Sequence, residues 1–190
     1  IDESDKIKNV YAEKLNVAMD KLYQVAHDTA YNQVQEKANE YYQEMTQENV
    51  GIVGKVVIDT DTSEIYTVDE KGTRIRNINQ GNRISIQLAV IAGILTVAQD
   101  QFNQQYPFVT DAPVSALGGD NKLSTIKSMI DAFEQSIIII KDDTSSKNKT
   151  NDEIRDLIAK SKDVGIAYEL SLSKTDSVSD QYTVVTKIKG

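Results

Sequence analysis

The chain has 190 residues, 39% of them hydrophobic and 26% charged, so it is long enough for one well-buried core with an appendage and too apolar for a disordered segment. It contains no Cys and a single His, His27, which excludes disulfides, thiolate nucleophiles, zinc fingers and His-based metal clusters within these residues. The net charge of −8 argues against non-specific coating of nucleic acid, although a local basic patch can still contact phosphates.

The residues at the start of the chain show no basic, apolar leader. The most apolar window, 84–98, is shorter than the roughly 20 apolar residues that a membrane span needs, and it contains Ser85, Gln87 and Thr96. We therefore expect a cytoplasmic protein without membrane contact, in which 84–98 forms a buried helix.

The first part of the chain reads as one long amphipathic helix. Between 6 and 47 there is no Pro and no Gly, and apolar residues recur at steps of three and four. The apolar stripe is narrow and rich in Ala and Tyr, which is typical of a coiled-coil arm. We predict that 1–49 is such an arm; because the heptads are imperfect, an ordinary helix of a bundle remains the alternative.

Residues 50–190 are predicted to form a separate domain of the α/β class. A hairpin is expected from strands at 55–58 and 65–68, which flank a polar turn. A helix over 84–101, a strand over 108–110, a helix over 122–132 and a strand over 137–140 follow, and this order implies a buried parallel pair. The tail has a weaker pattern, with a helix over 151–160 and strands over 165–173 and 182–188, joined by a turn at 176–177.

Two segments of this domain carry residues suited to nucleotide chemistry. The strand over 108–110 runs into Asp111, and a carboxylate at the carboxyl end of a buried parallel strand is where nucleotide-binding folds hold Mg²⁺. The polar turn 77–83, which contains Gly81, leads directly into the apolar helix, and free N–H groups at a helix N-terminus attract anions.

In this order the elements resemble the C-terminal lobe of an ABC-type ATPase head, in the group that contains SMC proteins, RecN, RecF and the DNA-phosphorothioation protein DndD. The resemblance covers 50–190, and the preceding helix is similar to the returning arm of the family's coiled coil. It implies parallel strands with flanking helices, and an SMC-like ATPase that binds ATP and Mg²⁺ between two heads. The family couples this binding to DNA in repair, DNA modification or anti-phage defence.

The resemblance also implies roles for single residues. The turn over 78–82 is similar to the signature motif, usually Leu-Ser-Gly-Gly-Glu, which grips the γ-phosphate of a nucleotide on the opposite head. This gives a cofactor-binding role to Asn79, Gln80, Gly81 and Asn82.

The other motifs follow the strand that ends at Asp111. Asp111 matches the Walker B aspartate, which holds Mg²⁺, and Ser115 and Ala116 match the D-loop, which crosses the dimer interface. Lys141 stands at the position of the switch residue, commonly His. Asp111 and Lys141 are therefore the catalytic candidates, with Asp111 as the metal ligand.

Several positions depart from the family pattern. Asn79 replaces Ser but keeps a side-chain donor, Gln80 replaces a Gly, and Gly118 replaces the D-loop Asp. Ala112 stands where most of these ATPases have the Glu that polarises the attacking water. Loss of such a group costs about 10²–10⁴ in rate, so we expect slow hydrolysis.

The chain contains no P-loop: at Gly54-Lys55 the motif would require Gly five residues earlier, where Asn49 stands, and Ser or Thr directly after, where Val56 stands. We expect the P-loop in an N-terminal lobe of the same protein. The other expected partners are a second copy, joined through the ATP sites, DNA, and a nuclease or modification-enzyme subunit. The alternative is a non-catalytic α/β interaction module with a helical arm, in which Ala112 marks a degenerate nucleotide site.

Overall fold

The structure, a computed structural model, describes residues 3–47, 54–111, 114, 117, 119–141, 149–173 and 178–190. These residues have a mixed α/β fold with four α-helices and six strands, which form three two-stranded sheets. The chain divides into two compact units that are described separately. Unit 1 comprises Ile1–Gln43 and Val50–Gln105, and unit 2 comprises Glu44–Asn49 and Tyr106–Gly190.

Helix α1 (Glu3–Thr46) has 44 residues and is about 66 Å long, at a rise of about 1.5 Å per residue. The long helix predicted from the spacing is thus confirmed. Its first half is solvent-exposed, whereas Ala38 is fully buried. Nine large apolar side chains in the first half are 50–69% exposed: Ile7, Val10, Tyr11, Leu15, Val17, Met19, Leu22, Tyr23 and Val25.

Unit 1 contains the predicted hairpin, an antiparallel pair of β1 (Lys55–Ile58) and β2 (Ile65–Val68). Side chains of α1 bond to the backbone of β1. The Asn39 Oδ1 accepts from the Val56 N–H and its Nδ2 donates to the Val56 carbonyl, both at 2.8 Å. The Gln35 Oε1 accepts from the Ile58 N–H at 2.8 Å, so the helix occupies the outer edge of the strand.

Helix α2 (Gln80–Phe102) completes unit 1 and crosses α1 at close range. A Cβ added to Gly93 would lie 2.9 Å from the Ala38 nitrogen and from the Val34 carbonyl oxygen, so only glycine permits this approach. Helix α2 is longer than the predicted window. By length and composition it is a candidate membrane span, because an 18-residue window within it has a mean hydropathy of 1.4. Core helices of soluble proteins meet the same criterion, and eight α2 residues are buried.

Unit 2 contains the predicted parallel pair, formed by β3 (Phe108–Asp111) and β4 (Ser136–Ile139) and connected through α3 (Gly119–Ala132). The Phe108 and Phe133 rings stack at 4.7 Å on its covered side. The prediction that the pair is buried is wrong for the other face, where Val109, Ile137 and Ile139 are 50–63% exposed.

The rest of unit 2 consists of α4 (Lys149–Lys160), β5 (Ala167–Leu172), a 3-10 helix (Val178–Asp180) and β6 (Thr183–Lys189). Strands β5 and β6 form an antiparallel ribbon, which confirms the predicted closing strands. The predicted turn between them at 176–177 lies outside the described residues. The core of the unit is built from Val114, Ile126 and Ile154, so α3, α4 and the segment after β3 pack together.

Candidate functional site

The predicted signature turn is the N-terminus of α2. Asn79 is the N-cap residue, with φ −67° and ψ 164°, and its Oδ1 accepts a hydrogen bond from the Asn82 N–H at 2.8 Å. Gln80, Gly81 and Asn82 therefore form the first helical turn, in contrast to the predicted start at Ile84. Asn79 and Gln80 are exposed, and Gly81 and Asn82 are half-buried.

This cap leaves donors for an added anion. The first N–H groups of a helix have no carbonyl partner within the helix, and Asn79 takes up only that of Asn82. The N–H groups of Gln80 and Gly81, together with the Asn79 Nδ2, then remain as donors beside the positive end of the helix dipole. An N-cap role and a phosphate-binding role for Asn79 are thus compatible, because they use different atoms of the same amide.

The second group of predicted residues lies at the carboxyl edge of the parallel pair. Asp111 is the last residue of β3, and its partner in the register is Ile139, the last residue of β4. Lys141 follows two positions later, so both side chains belong to the same end of the two strands, and both are exposed. The pair offers a carboxylate for a divalent cation and an ammonium group for a phosphate.

A magnesium ion fits this edge. Mg²⁺ is ordinarily held by one or two carboxylates together with phosphate oxygens and water. In the part of the chain that the structure describes, no three acidic or imidazole side chains gather into a cluster. Among the described residues, Asp111 is the carboxylate at this edge, and one carboxylate is enough for a Mg²⁺ that is bound together with phosphate oxygens.

Ser115 and Ala116, the predicted D-loop residues, lie outside the described residues, as does Ala112. Their described neighbours are well fixed: Val114 is 1% exposed, and Leu117 packs against the same core and donates its N–H to the Val114 carbonyl at 3.1 Å.

The predicted residues belong to different units. The structure brings Asn79, Gln80, Gly81 and Asn82 together in unit 1, and it brings Asp111 and Lys141 together in unit 2.

The chain matches no protein-family model, and no curated protein is significantly similar to it.

The motif-based prediction assigns no role to the arginines. The chain has 4 Arg among its 21 basic residues, and Arg74, Arg76 and Arg83 all line one cavity of unit 1. Their clustering within 74–83 is visible in the sequence. The sequence does not show that β2 and α2 line the same cavity.

Proposed function

We propose that this chain is the C-terminal part of an SMC-like ATPase, which binds Mg-ATP between two heads and couples that binding to DNA. In this proposal the protein is cytoplasmic, a P-loop lobe completes each head, and a second copy completes each ATP site. The pathway is DNA repair, DNA modification or anti-phage defence, and a nuclease or modification enzyme is the partner expected in each case.

The observation that carries the proposal is the carboxyl edge of β3 and β4. Ligands of open α/β sheets bind outside the carboxyl ends of parallel strands. Asp111 ends β3 there, and Lys141 follows β4 at the same edge. A metal-binding carboxylate and a cation beside it are what the phosphates of Mg-ATP require.

The N-terminus of α2 supports the same function. Its exposed cap offers N–H donors and one end of a 23-residue helix to an anion. Since these residues lack a P-loop, the turn is proposed to act in trans on a nucleotide held by the opposite head. Because Gln80 stands where the family has Gly, its side chain leaves less room for the phosphate to approach the turn.

Helix α1 supports the coiled-coil arm. Between Tyr11 and Thr29 the spacings alternate between four and three residues, which is the repeat of a two-stranded coiled coil. The positions of this repeat are Tyr11, Leu15, Ala18, Leu22, Val25 and Thr29. The stripe is exposed in this chain, and a second helix packed along it would remove these side chains from water.

When Mg-ATP is bound, the metal supplies charge neutralisation of the phosphates. Asp111 would hold the metal, Lys141 would contact a phosphate oxygen, and the α2 cap would bind the terminal phosphate. Because Ala112 has no carboxylate to orient the attacking water, hydrolysis is expected to be slow, by about 10²–10⁴ relative to a head with that group.

The test is nucleotide binding by the holoenzyme that contains both the P-loop lobe and this chain. Asp111→Asn removes one charge from the metal ligand without changing its size. We expect weaker Mg-dependent ATP binding and loss of hydrolysis, and no change in ATP binding measured without Mg²⁺. Asp100→Asn, an equally conservative change at an exposed position of α2, is the matched control.

The proposal fails if Asp111→Asn and Asp100→Asn bind and hydrolyse Mg-ATP like the parent. It also fails if the parent holoenzyme binds no ATP, and the interaction-module alternative then takes its place.

A further inference from the structure

Unit 1 contains a cavity of about 600 Å³ that is lined by β2, the segment after it and the first turns of α2. This volume lies within the range of about 300–1,000 Å³ that is usual for small-molecule sites. Four of its lining residues are isoleucines: Ile65, Ile75, Ile78 and Ile86. The apolar part of the lining can therefore contact one face of a ring system.

The same cavity is lined by arginine and by no lysine. The chain has 17 Lys and 4 Arg, yet Arg74, Arg76 and Arg83 all line this space. Arginine differs from lysine in its planar fork of donors, which binds phosphate or carboxylate through two parallel hydrogen bonds and stacks on flat rings. The choice of arginine at all three positions indicates a ligand with an oxyanion.

Arg74 is held in a fixed position. Its guanidinium pairs with both carboxylate oxygens of Glu64, with one N···O distance of 3.1 Å. It also lies over the Tyr66 ring, 4.6 Å from the ring centre. This stack of Tyr66 and Arg74 gives the cavity a flat, pre-organised wall, against which another planar group can lie.

Arg76 and Arg83 differ from Arg74 in having no carboxylate partner among the residues that the structure describes. Both are exposed, and neither forms an ion pair with any residue that the structure describes. In a chain with a net charge of −8, two unneutralised guanidinium groups beside an apolar cavity form a local attraction for anions.

We propose that this cavity binds a nucleoside phosphate. The ring system lies among the isoleucines and against the Arg74 wall, and the phosphate is bound by Arg76 and Arg83. An adenine or guanine base supplies the flat apolar body that the cavity fits. The cavity adjoins the proposed signature turn, because Ile78, the first residue of that turn, lines it, whereas Asn79 and Gln80 do not. The proposal rests on the cavity lining alone and does not require the ATPase proposal.

The experiment uses the 190-residue chain, whose sequence contains no P-loop. Binding of a fluorescent N-methylanthraniloyl derivative of ADP is followed by anisotropy. Unlabelled ADP is expected to displace the probe. Adenosine and inorganic phosphate are each expected to displace it much less, because adenosine lacks the phosphate and inorganic phosphate lacks the ring system.

The variants distinguish binding in this cavity from a general effect of the protein's charge on an anionic ligand. Arg76→Gln and Arg83→Gln are each expected to weaken binding about tenfold, the usual effect of losing a hydrogen bond to a charged group. Arg155→Gln is the matched control, because Arg155 is paired with Glu169 in unit 2, at 2.7 Å. Circular dichroism of all three variants verifies that they fold like the parent.

Three results would overturn the proposal: no binding of the probe at millimolar concentration, an equal loss of binding in Arg155→Gln, or displacement by phosphate as efficient as by ADP. Tight binding of a single-stranded oligonucleotide or an acidic peptide, with no binding of ADP, would also overturn it. A holoenzyme that fails to bind ATP while the cavity binds ADP would refute the ATPase proposal and leave this one standing.

Discussion

At the scale of single residues, the Asp59 carboxylate organises the connection between β1 and β2. Its Oδ1 accepts hydrogen bonds from the Thr62 hydroxyl and the Thr62 N–H, each at 2.7 Å, and from the Asp61 N–H at 3.1 Å. These bonds lower the pKa of Asp59 below its ordinary value of 3.8, and the bond from the Thr62 hydroxyl has the largest effect. The turn is thus built around the charged form of the side chain.

This predicts a pH-dependent contribution of Asp59 to stability. Since its pKa is lower in the folded state, the contribution is fully present above the unfolded-state pKa and is lost as the pH falls through the folded-state pKa. The free energy of unfolding of the parent should exceed that of Asp59→Asn at neutral pH. The difference should shrink as the pH falls below 3.8, as measured by urea denaturation. A difference that does not vary with pH would contradict the prediction.

Gly93 offers a test in which two effects have opposite signs. Gly→Ala inside a helix normally stabilises by about 1 kcal/mol, because Ala has the higher helix propensity. At Gly93, however, the new Cβ would lie 2.9 Å from backbone atoms of Val34 and Ala38, which cannot rotate away. Overpacking of this kind costs about 1–3 kcal/mol. This cost should exceed the gain in helix propensity, so Gly93→Ala should be less stable than the parent.

The measurement is the midpoint of thermal unfolding. Gly165→Ala is the control, because no atom lies within 4 Å of the Cβ that it would add. A Gly93→Ala protein as stable as the parent would mean that α1 and α2 can separate without loss.

At the scale of elements, the edge of β1 is covered by amide side chains of a helix and not by another strand. Asn39 and Gln35 stand four residues apart on α1, and they bond to Val56 and Ile58, two residues apart on β1. One helical turn of about 5.4 Å nearly matches two strand residues at about 3.3 Å each, which allows both amides to bond at once. The hairpin is thereby protected from pairing with another chain.

Asn39→Ala should therefore destabilise unit 1. The change leaves the Val56 N–H and carbonyl without these partners, at a cost of about 1–3 kcal/mol, which exceeds the gain in helix propensity of up to about 0.7 kcal/mol. Asn32→Ala, on an exposed position of the same helix, gains the propensity and loses no bond to β1. Denaturant unfolding should then show opposite changes in the two variants, and equal changes would contradict the role of Asn39.

The sequence predicts the helices and strands themselves better than it predicts which other elements pack against their faces. The antiparallel β1–β2 pair, the long α1 and the parallel β3–β4 pair all follow from periodicity and turn residues, because these are properties of neighbouring positions. The open face at Val109, Ile137 and Ile139 does not follow, because a run of β-branched residues looks the same whether or not a second layer covers it.

The candidate site shows the same division. Asn79 is recognisable as a cap because capping is local, whereas the start of α2 at Gln80 required the apolar helix to extend through the polar residues Gln80 and Asn82. The cavity that contains Arg76 and Arg83 depends on how β2 and α2 approach each other, which no local pattern encodes.

At the scale of the whole molecule, several apolar surfaces are exposed to solvent. The stripe of α1, the outer face of β3 and β4, and the ribbon of β5 and β6 all expose large apolar side chains, including Leu170 and Leu172 at 64–65%. Parallel sheets are ordinarily covered on both faces, so the open face of β3 and β4 supports the proposal that a further lobe packs there. The proposed ATPase requires such a lobe and a second head.

The closing of two such heads on ATP is testable at Gly81, the second residue of α2. Gly81→Asp places a carboxylate where the terminal phosphate of the opposite head must approach, so like charges and the added side chain should both oppose dimerisation. The fold should tolerate this change, because an acidic residue in the first turn of a helix interacts favourably with its dipole, by about 0.3–1 kcal/mol. Gly81→Asp is thus expected to preserve or raise the free energy of unfolding and to reduce dimerisation.

The measurement is light scattering of the holoenzyme in Mg-ATP at equal nucleotide occupancy. Gly165→Asp, an acidic substitution at an exposed glycine with open space around it, controls for the added charge. We expect the parent and Gly165→Asp to dimerise alike and Gly81→Asp to remain monomeric while each head still binds ATP. Equal dimerisation of all three proteins would remove the in-trans role and leave Asn79–Asn82 as a helix cap alone, because the cap geometry by itself requires no second head.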